Sequence, residues 1–488
     1  MTSANKKNLI ISAWEEILAL RSGNSAIFAV TGKELRTFAG IEASSRLLEE
    51  KLAIFTPGDV VSFQIGNSPD WPALLLAAMR YGVVPLPIGR HVEKAELETV
   101  FKTCRVSGSV GTSLCGELEF QLLPGNRVGG NPDCDLLKLT CGNSSFPRAI
   151  RFHSGQLIAD CDNICDAMGI TTGDLNFGVI PISHSYGFSN LLLPLLCRGV
   201  PLVVSEDRMP RAILSDLART GATVFPGMPL FYQSFAEMEN IPELPRLRLW
   251  ISAGAPLSRL TAEKFSRKFG LKIHSFYGAS ECGGIGYDAA DSLDYVDSSL
   301  GSTLQNVQVI PLDSVPVRNT ASHGANGGNR QQAGRLSLIE VRSAAVGSGY
   351  FPVEDPGKLA AGRFIPSDII EQTPQGMRLA GTVSDIINIA GRKLNPLEVE
   401  ALLLRVPGVE QAVVFGIPSQ LRNEEVVACI AGSATMSEVV QQAQSLLGAW
   451  QMPRDFWLVD AIPRGNNGTI DRRTLAQTYL NHRKCRIS

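Results

Sequence analysis

Apolar residues recur along this chain in two rhythms, short unbroken runs and runs spaced by three and four, and the two alternate. Val60-Val61-Ser62-Phe63-Gln64-Ile65 reads as a strand. Trp71 to Tyr81, opening near Ser68-Pro69-Asp70, reads as a helix, and Gly82-Val83-Val84-Pro85-Leu86-Pro87 leads into the next strand. Further strand-like runs fall at 177–180, 201–205, 223–225, 247–253 and 272–276. Strands alternating with helices imply a parallel sheet covered on its faces, so doubly wound layers are expected to about residue 290. From about 295 the texture changes to short strands at 307–310, 336–341, 362–364 and 377–379, the mark of a small antiparallel β subdomain. Residues 318–334, rich in Gly, Asn and Gln, read as a mobile surface loop. From Asp385 onward the pattern is compact α+β, with helices over 396–406 and 437–449 and strands over 411–415 and 456–459. The predicted class is α/β: a large N-terminal domain of doubly wound sheets with a small β subdomain, then a small mobile α+β domain.

Composition narrows this picture. At 488 residues, two or three domains are expected. Apolar content of 44% with 19% charged residues fits a globular protein that needs no membrane. A net charge of −2 gives no general attraction to nucleic acid. The ten cysteines include no C-x-x-C pair, and Cys161 and Cys165 sit one helical turn apart, which reads as reduced, mostly buried thiols in a cytoplasmic protein. Residues 1–23, with Leu9, Ile10, Ile11, Trp14, Ile17 and Leu18 among charges, read as an amphipathic packing helix rather than a signal peptide.

The candidate chemistry centres on Leu139-Thr140-Cys141-Gly142-Asn143-Ser144-Ser145-Phe146-Pro147-Arg148. The apolar run before it and the helical pattern from Gly155 after it make a strand, a small-residue loop and a helix. That is a setting in which backbone N–H groups and hydroxyls cradle phosphates, with Arg148 and Arg151 adding charge. The segment lacks the GxxxxGK[ST] spacing, so taken alone it reads equally as a hydroxyl-rich turn.

Several segments in order nevertheless resemble the adenylate-forming superfamily of acyl-CoA synthetases and related ligases. The loop resembles Y-T-S-G-[ST]-T-G-x-P-K-G-V through Thr140, Gly142, Ser144, Pro147 and Arg148, the last in place of lysine. Pro181-Ile182-Ser183-His184-Ser185-Tyr186-Gly187 resembles the histidine-aromatic-glycine segment, and Gly254-Ala255-Pro256-Leu257 the segment beside adenine. Tyr277-Gly278-Ala279-Ser280-Glu281 resembles Y-G-x-T-E. Residues 381–400 and 462–472 resemble the family's two C-terminal runs. The resemblance places an AMP-binding N-terminal domain at 1–383 and the C-terminal domain at 384–488, hinged near Ser384-Asp385.

It also implies roles. Thr140, Gly142, Ser144 and Arg148 would hold the β- and γ-phosphates of ATP. Ser280 would bond the α-phosphate, and Glu281 would hold Mg²⁺. Tyr277, with Gly278 beside it, would stack on adenine against the backbone of Gly254, Ala255 and Pro256. Asp368 would accept the ribose hydroxyls, and His184 would sit by the reacting carboxylate. Outside these motifs His184 reads as a structural histidine, Glu281 as a turn acid, Asp368 as a turn cap and Tyr277 as core.

The departures matter as much. Thr469 stands where the family carries a lysine that contacts carboxylate and α-phosphate, and Thr382 stands where it carries a ribose-binding arginine. Ser145 and Ala149 replace glycines, which would stiffen the loop. The expected function is ATP-dependent activation of a fatty or aryl acid to acyl-AMP, then transfer to CoA or the pantetheine arm of a separate carrier protein. Phe188, Leu191, Leu192, Phe276 and Gly283 are expected at the acid pocket. The alternative is an impaired member that binds nucleotide or acyl-adenylate, or runs only the thioester half-reaction.

Overall fold

The computed structural model describes residues 8–29, 35–90, 92–123, 132–140, 148–293, 298–314, 336–389, 392–419, 423–464 and 470–487. The surface loop expected at 318–334 lies outside them. The chain forms two compact units: residues 1–310 with 340–366, and 311–339 with 367–488.

In the first unit, strands Ser25–Ala29, Leu202–Val204, Asn176–Gly178, Val224–Gly227, Leu249–Ser252 and Ile273–Ala279 pair in parallel in that spatial order. The expected βαβ rhythm is therefore real. Its core is aromatic: Trp250, Phe225, Tyr232, Phe235 and Phe265 are buried together, with the Trp250 and Phe265 rings 5.0 Å apart. Strands Gly283–Tyr287 and Ser299–Thr303 then run antiparallel. The antiparallel texture expected from about 295 is present: Leu336–Ser343 pairs antiparallel with Asp368–Thr373, and Asp368–Thr373 with Gly376–Thr382.

Strands Val84–Pro87, Val60–Phe63 and Val106–Thr112 form a second, mainly parallel sheet, closed by Leu118–Leu122. The helix Trp71–Tyr81 has the predicted bounds, with nine consecutive buried residues from Trp71 to Met79. The N-terminal helix Leu9–Arg21 is the expected packing element: Trp14 is buried and its indole N–H donates to Glu42 Oε2 at 2.9 Å.

The second unit shows the period of two clearly. In strands Val409–Ser419 and Asn423–Gly432, Val414, Val426, Ala428 and Ile430 face Val399, Leu403, Val439 and Ala443 of helices Pro396–Leu403 and Met436–Leu446. The alternate residues Val413, Phe415, Val427 and Cys429 pack with Leu475 and Tyr479 of helix Arg472–Ile487. The predicted helix over 396–406 ends at Leu403. Val406 remains buried in the same core after the helix has stopped.

Candidate functional site

Three parallel strands of the first unit release the motif residues at their carboxyl ends. Asn176–Gly178 leads to His184, Leu249–Ser252 to Gly254-Ala255-Pro256, and Ile273–Ala279 to Ser280 and Glu281. Ligands of open α/β sheets bind at such ends, where loops converge and backbone groups point outward.

The strand–loop–helix setting expected around residues 139–155 differs in one element. Strand Leu136–Leu139 pairs antiparallel with Ala149–Phe152, Leu139 opposite Ala149, and Thr140 N–H donates to Arg148 O at 2.9 Å. Helix Ser154–Met168 begins only after that second strand. The helix therefore does not follow the small-residue segment directly: Ala149, Ile150 and Phe152 are buried and extend as a strand between them. Ala149 itself lies in the strand, so its side chain does not stiffen the turn. Gly142 and Ser144 lie outside the described residues.

A third strand, Gly349–Phe351, adds to the hairpin with Tyr350 opposite Ile150. It carries a residue the sequence reading missed. The Tyr350 hydroxyl donates to Glu281 Oε1 at 3.0 Å, and the Arg148 guanidinium lies 4.4 Å from the Tyr350 ring centroid. Arg148 also reaches Asp355 at 3.6 Å. Burial pushes the Glu281 carboxyl pKa up; the Tyr350 bond and the charges of Lys358 and Arg148 pull it back. A carboxylate so placed gains from a cation. Among the described residues no cluster of three metal ligands exists. One carboxylate bonded by a single side-chain hydroxyl among the described residues fits Mg²⁺ carried in on phosphates, since that ion keeps most of its other ligands from substrate and water.

His184 is held by packing before it. The buried Asn67 amide donates to Gly178, Ile180 and Ser205 carbonyls and accepts from Ile182 N–H at 2.9 Å, pinning the backbone that enters the His184 turn. A Cβ on Gly187 would lie 2.2 Å from Pro181 O, so only glycine lets the turn close. His184 Nδ1 accepts from Tyr186 N–H at 3.2 Å, which places the ring proton on Nε2. Burial, then the charge of Lys138, lowers the His184 pKa and favours this neutral form.

Lys138 is the second residue the sequence reading missed, absorbed there into an apolar strand. It is 4% exposed and donates to Ser189 Oγ at 3.2 Å. Its signal was a charge inside a buried run; that of Tyr350 was the Gly349-Tyr350-Phe351 run just after small residues. The expected pocket residues Phe188, Leu191, Leu192 and Phe276 are all buried, and the Tyr186 and Phe276 rings lie 6.2 Å apart.

Tyr277 is half-buried and Gly254 is exposed. Gly278 meets Gly283 O too closely for a side chain, at 2.7 Å from an added Cβ. Asp368 and Thr382 belong to the second unit, where they face each other across the paired strands Asp368–Thr373 and Gly376–Thr382. Thr469 lies outside the described residues. In the same unit Arg472 joins distant motif pieces, donating to Asp385 at 2.9 Å, Glu400 at 2.7 Å and Val414 O at 3.0 Å.

Known proteins share this chain's sequence family and fold. The family described as AMP-binding enzyme matches residues 139–351, and that described as AMP-binding enzyme C-terminal domain matches 398–469, together more than half of the chain. An oxalate–CoA ligase of Arabidopsis thaliana is 22% identical across 96% of this chain and 98% of its own. A feruloyl-CoA synthase of an Amycolatopsis species is 23% identical across 85% of this chain and 87% of its own. ATP-bound MatB of Rhodopseudomonas palustris has the same fold, with a TM-score of 0.82 at 22% identity over 96% of this chain and 98% of that one. So does the o-succinylbenzoate CoA synthetase of Bacillus subtilis with its acyl-adenylate, at 0.76 and 18% identity over 95% and 97%. No helix among the described residues is long and apolar enough to cross a membrane. With both family domains in order and the fold shared end to end, this chain belongs to the adenylate-forming, AMP-binding enzyme superfamily.

Proposed function

We propose that the chain joins a carboxylic acid to the thiol of CoA through an acyl-adenylate, at the expense of ATP. The acid's carboxylate oxygen attacks the α-phosphorus and pyrophosphate leaves; the thiol sulfur then attacks the acyl carbon and AMP leaves. Both partners of the first step are anionic, so the protein's task is positioning and positive charge. The observation that carries this reading is the convergence of Arg148, Tyr350 and Glu281 on the hairpin whose turn would hold the β- and γ-phosphates.

In this reading Thr140, Gly142, Ser144 and Arg148 hold those phosphates, and Ser280 bonds the α-phosphate. Glu281 holds Mg²⁺, which when bound offsets phosphate charge. Neutral His184 offers its Nε2 proton to an oxygen of the reacting pair. Tyr277 and Gly278 cover adenine against Gly254, Ala255 and Pro256, while Asp368 and Thr382 take the ribose. The wall of Phe188, Leu191, Leu192 and Phe276 suits a fatty or aryl body. Residues 1–383 act as the nucleotide-binding domain and 384–488 as the mobile one, swinging near Ser384-Asp385 to admit the thiol. CoA is the proposed acceptor, with a carrier protein's pantetheine arm as the other thiol to assay.

Thr469 favours a second reading, an impaired adenylator that binds acyl-adenylate or transfers it. A panel of acids assayed for pyrophosphate release from MgATP, with and without CoA, decides. Turnover by the wild type supports the ligase. Thr469→Lys is expected to raise the rate by about 10²–10³-fold, the worth of one transition-state contact. Turnover by the lysine variant alone would favour the second reading, and silence from both a binding protein.

A further inference from the structure

Among the described residues Lys138 has few partners for a purely structural cation. An ammonium carries three donors. Ser189 Oγ takes one, and the Phe152 and Phe188 rings flank Nζ at 4.8 and 4.9 Å to their centroids. Those faces attract a cation but accept no strong hydrogen bond. Asp160 favours the charge through space. Its carboxylate, however, is engaged elsewhere, accepting from Gly284 N–H at 2.9 Å, and it packs where any side chain on Gly283 would stand. Among the described residues no carboxylate closes on Lys138. A buried cation left this way is costly unless an anion completes it.

Its place in the fold says which anion. Lys138 shares a strand face with Thr140, at the mouth of the phosphate hairpin, by the alternation of the strand. Its partners Phe188 and Ser189 follow His184 by about one helical turn. Two residues before Phe188, the Tyr186 ring lies 6.2 Å from that of Phe276; an added Cβ on Gly284 would meet Phe276 at 3.0 Å, and Gly284 N–H donates to Asp160. Phe188 and Phe276 of this set belong to the wall assigned above to the acid.

Resting on the adenylating reading, we propose that Lys138 is a specificity residue that binds a second carboxylate on the acid substrate. The preferred acid is therefore a dicarboxylate, aliphatic or aryl, whose far end meets Lys138 and Ser189 while its near carboxylate reacts beside His184.

The test compares malonate, succinate, glutarate and phthalate with butyrate and benzoate, by pyrophosphate release, in wild type, Lys138→Met and Lys138→Arg. Wild type is expected to favour at least one dicarboxylate. Lys138→Met should cut the ratio of kcat/KM for that dicarboxylate over its monocarboxylate counterpart by about 10-fold or more, the worth of a charged hydrogen bond. Lys138→Arg should keep part of that preference. Wild type favouring monocarboxylates, or an unchanged ratio in Lys138→Met, overturns the proposal and leaves a structural lysine in a working ligase. If no acid turns over, the proposed function fails, and titration calorimetry with the same dicarboxylates decides separately. Binding to wild type that Lys138→Met loses supports the proposal; no binding overturns it. Cooperative thermal unfolding of each variant checks that it is folded.

Discussion

Two cations, one in each unit, are treated in opposite ways: Lys138 is buried and Arg472 half-buried. Arg472 has three acceptors around its guanidinium, from Asp385, Glu400 and Val414 O, each at 3.0 Å or less. Burial works against its charge, but Glu400 and Asp385 outweigh burial and hold it protonated. Lys138 has one hydroxyl, two aromatic faces and a carboxylate committed elsewhere; burial dominates and lowers its pKa to about 8. A saturated charge acts as a rivet, and an unsaturated buried one suits the ligand role proposed above for Lys138. Glu281, with Tyr350 as hydroxyl partner and a raised pKa, belongs with Lys138.

If saturation marks structural charges, Arg472→Met should cost the most stability. A loss on the order of 3–5 kcal/mol is expected in denaturant unfolding, because Glu400 is left buried and unpaired. A shift within error would place Arg472 with the unsaturated group. Glu281→Gln should instead spare the melting temperature and lower pyrophosphate release by about 10²–10³-fold; equal loss of stability would make Glu281 structural.

Lys138→Met sharpens the contrast by its sign. Because the folded-state pKa of Lys138 lies below its unfolded value, the unfolded state binds the extra proton between the two, and wild-type stability rises with pH there. The variant should therefore be more stable than wild type by on the order of 3 kcal/mol below pH about 8, with the gap closing toward the unfolded lysine value near 10.4. Chemical denaturation at several pH values reads this, and a destabilised variant would count against it. Smallest is Tyr350→Phe, which frees one Glu281 oxygen for about 1 kcal/mol, or a roughly fivefold loss in activity at low Mg²⁺. Mg²⁺ titration of the rate checks it.

Much of the fold was legible because it is local. The helix Trp71–Tyr81 and the parallel strands of the first unit announce themselves through spacing within a short window. The order of motif residues made His184, Glu281 and Arg148 visible as candidates. What stayed hidden depends on partners far along the chain. Asn67 finds its carbonyls more than 100 residues away, and Tyr350 meets Glu281 across 69 positions. The hairpin after Leu136–Leu139 was misread as a strand–helix junction because a short buried strand beside a longer helical pattern gives little periodicity of its own. Lys138 vanished into an apolar run for a related reason: the strand pattern tells which face a residue shares, never which neighbours it lacks.

The three-stranded ribbon of Leu136–Leu139, Ala149–Phe152 and Gly349–Phe351 bears on how such a protein can change over generations. Its legs are fastened by backbone pairing and buried side chains, which do not read the identity of the turn they present. The segment between them can therefore drift in sequence without loosening the platform beneath it. Selection can rewrite what the ribbon presents while inheriting the frame unchanged.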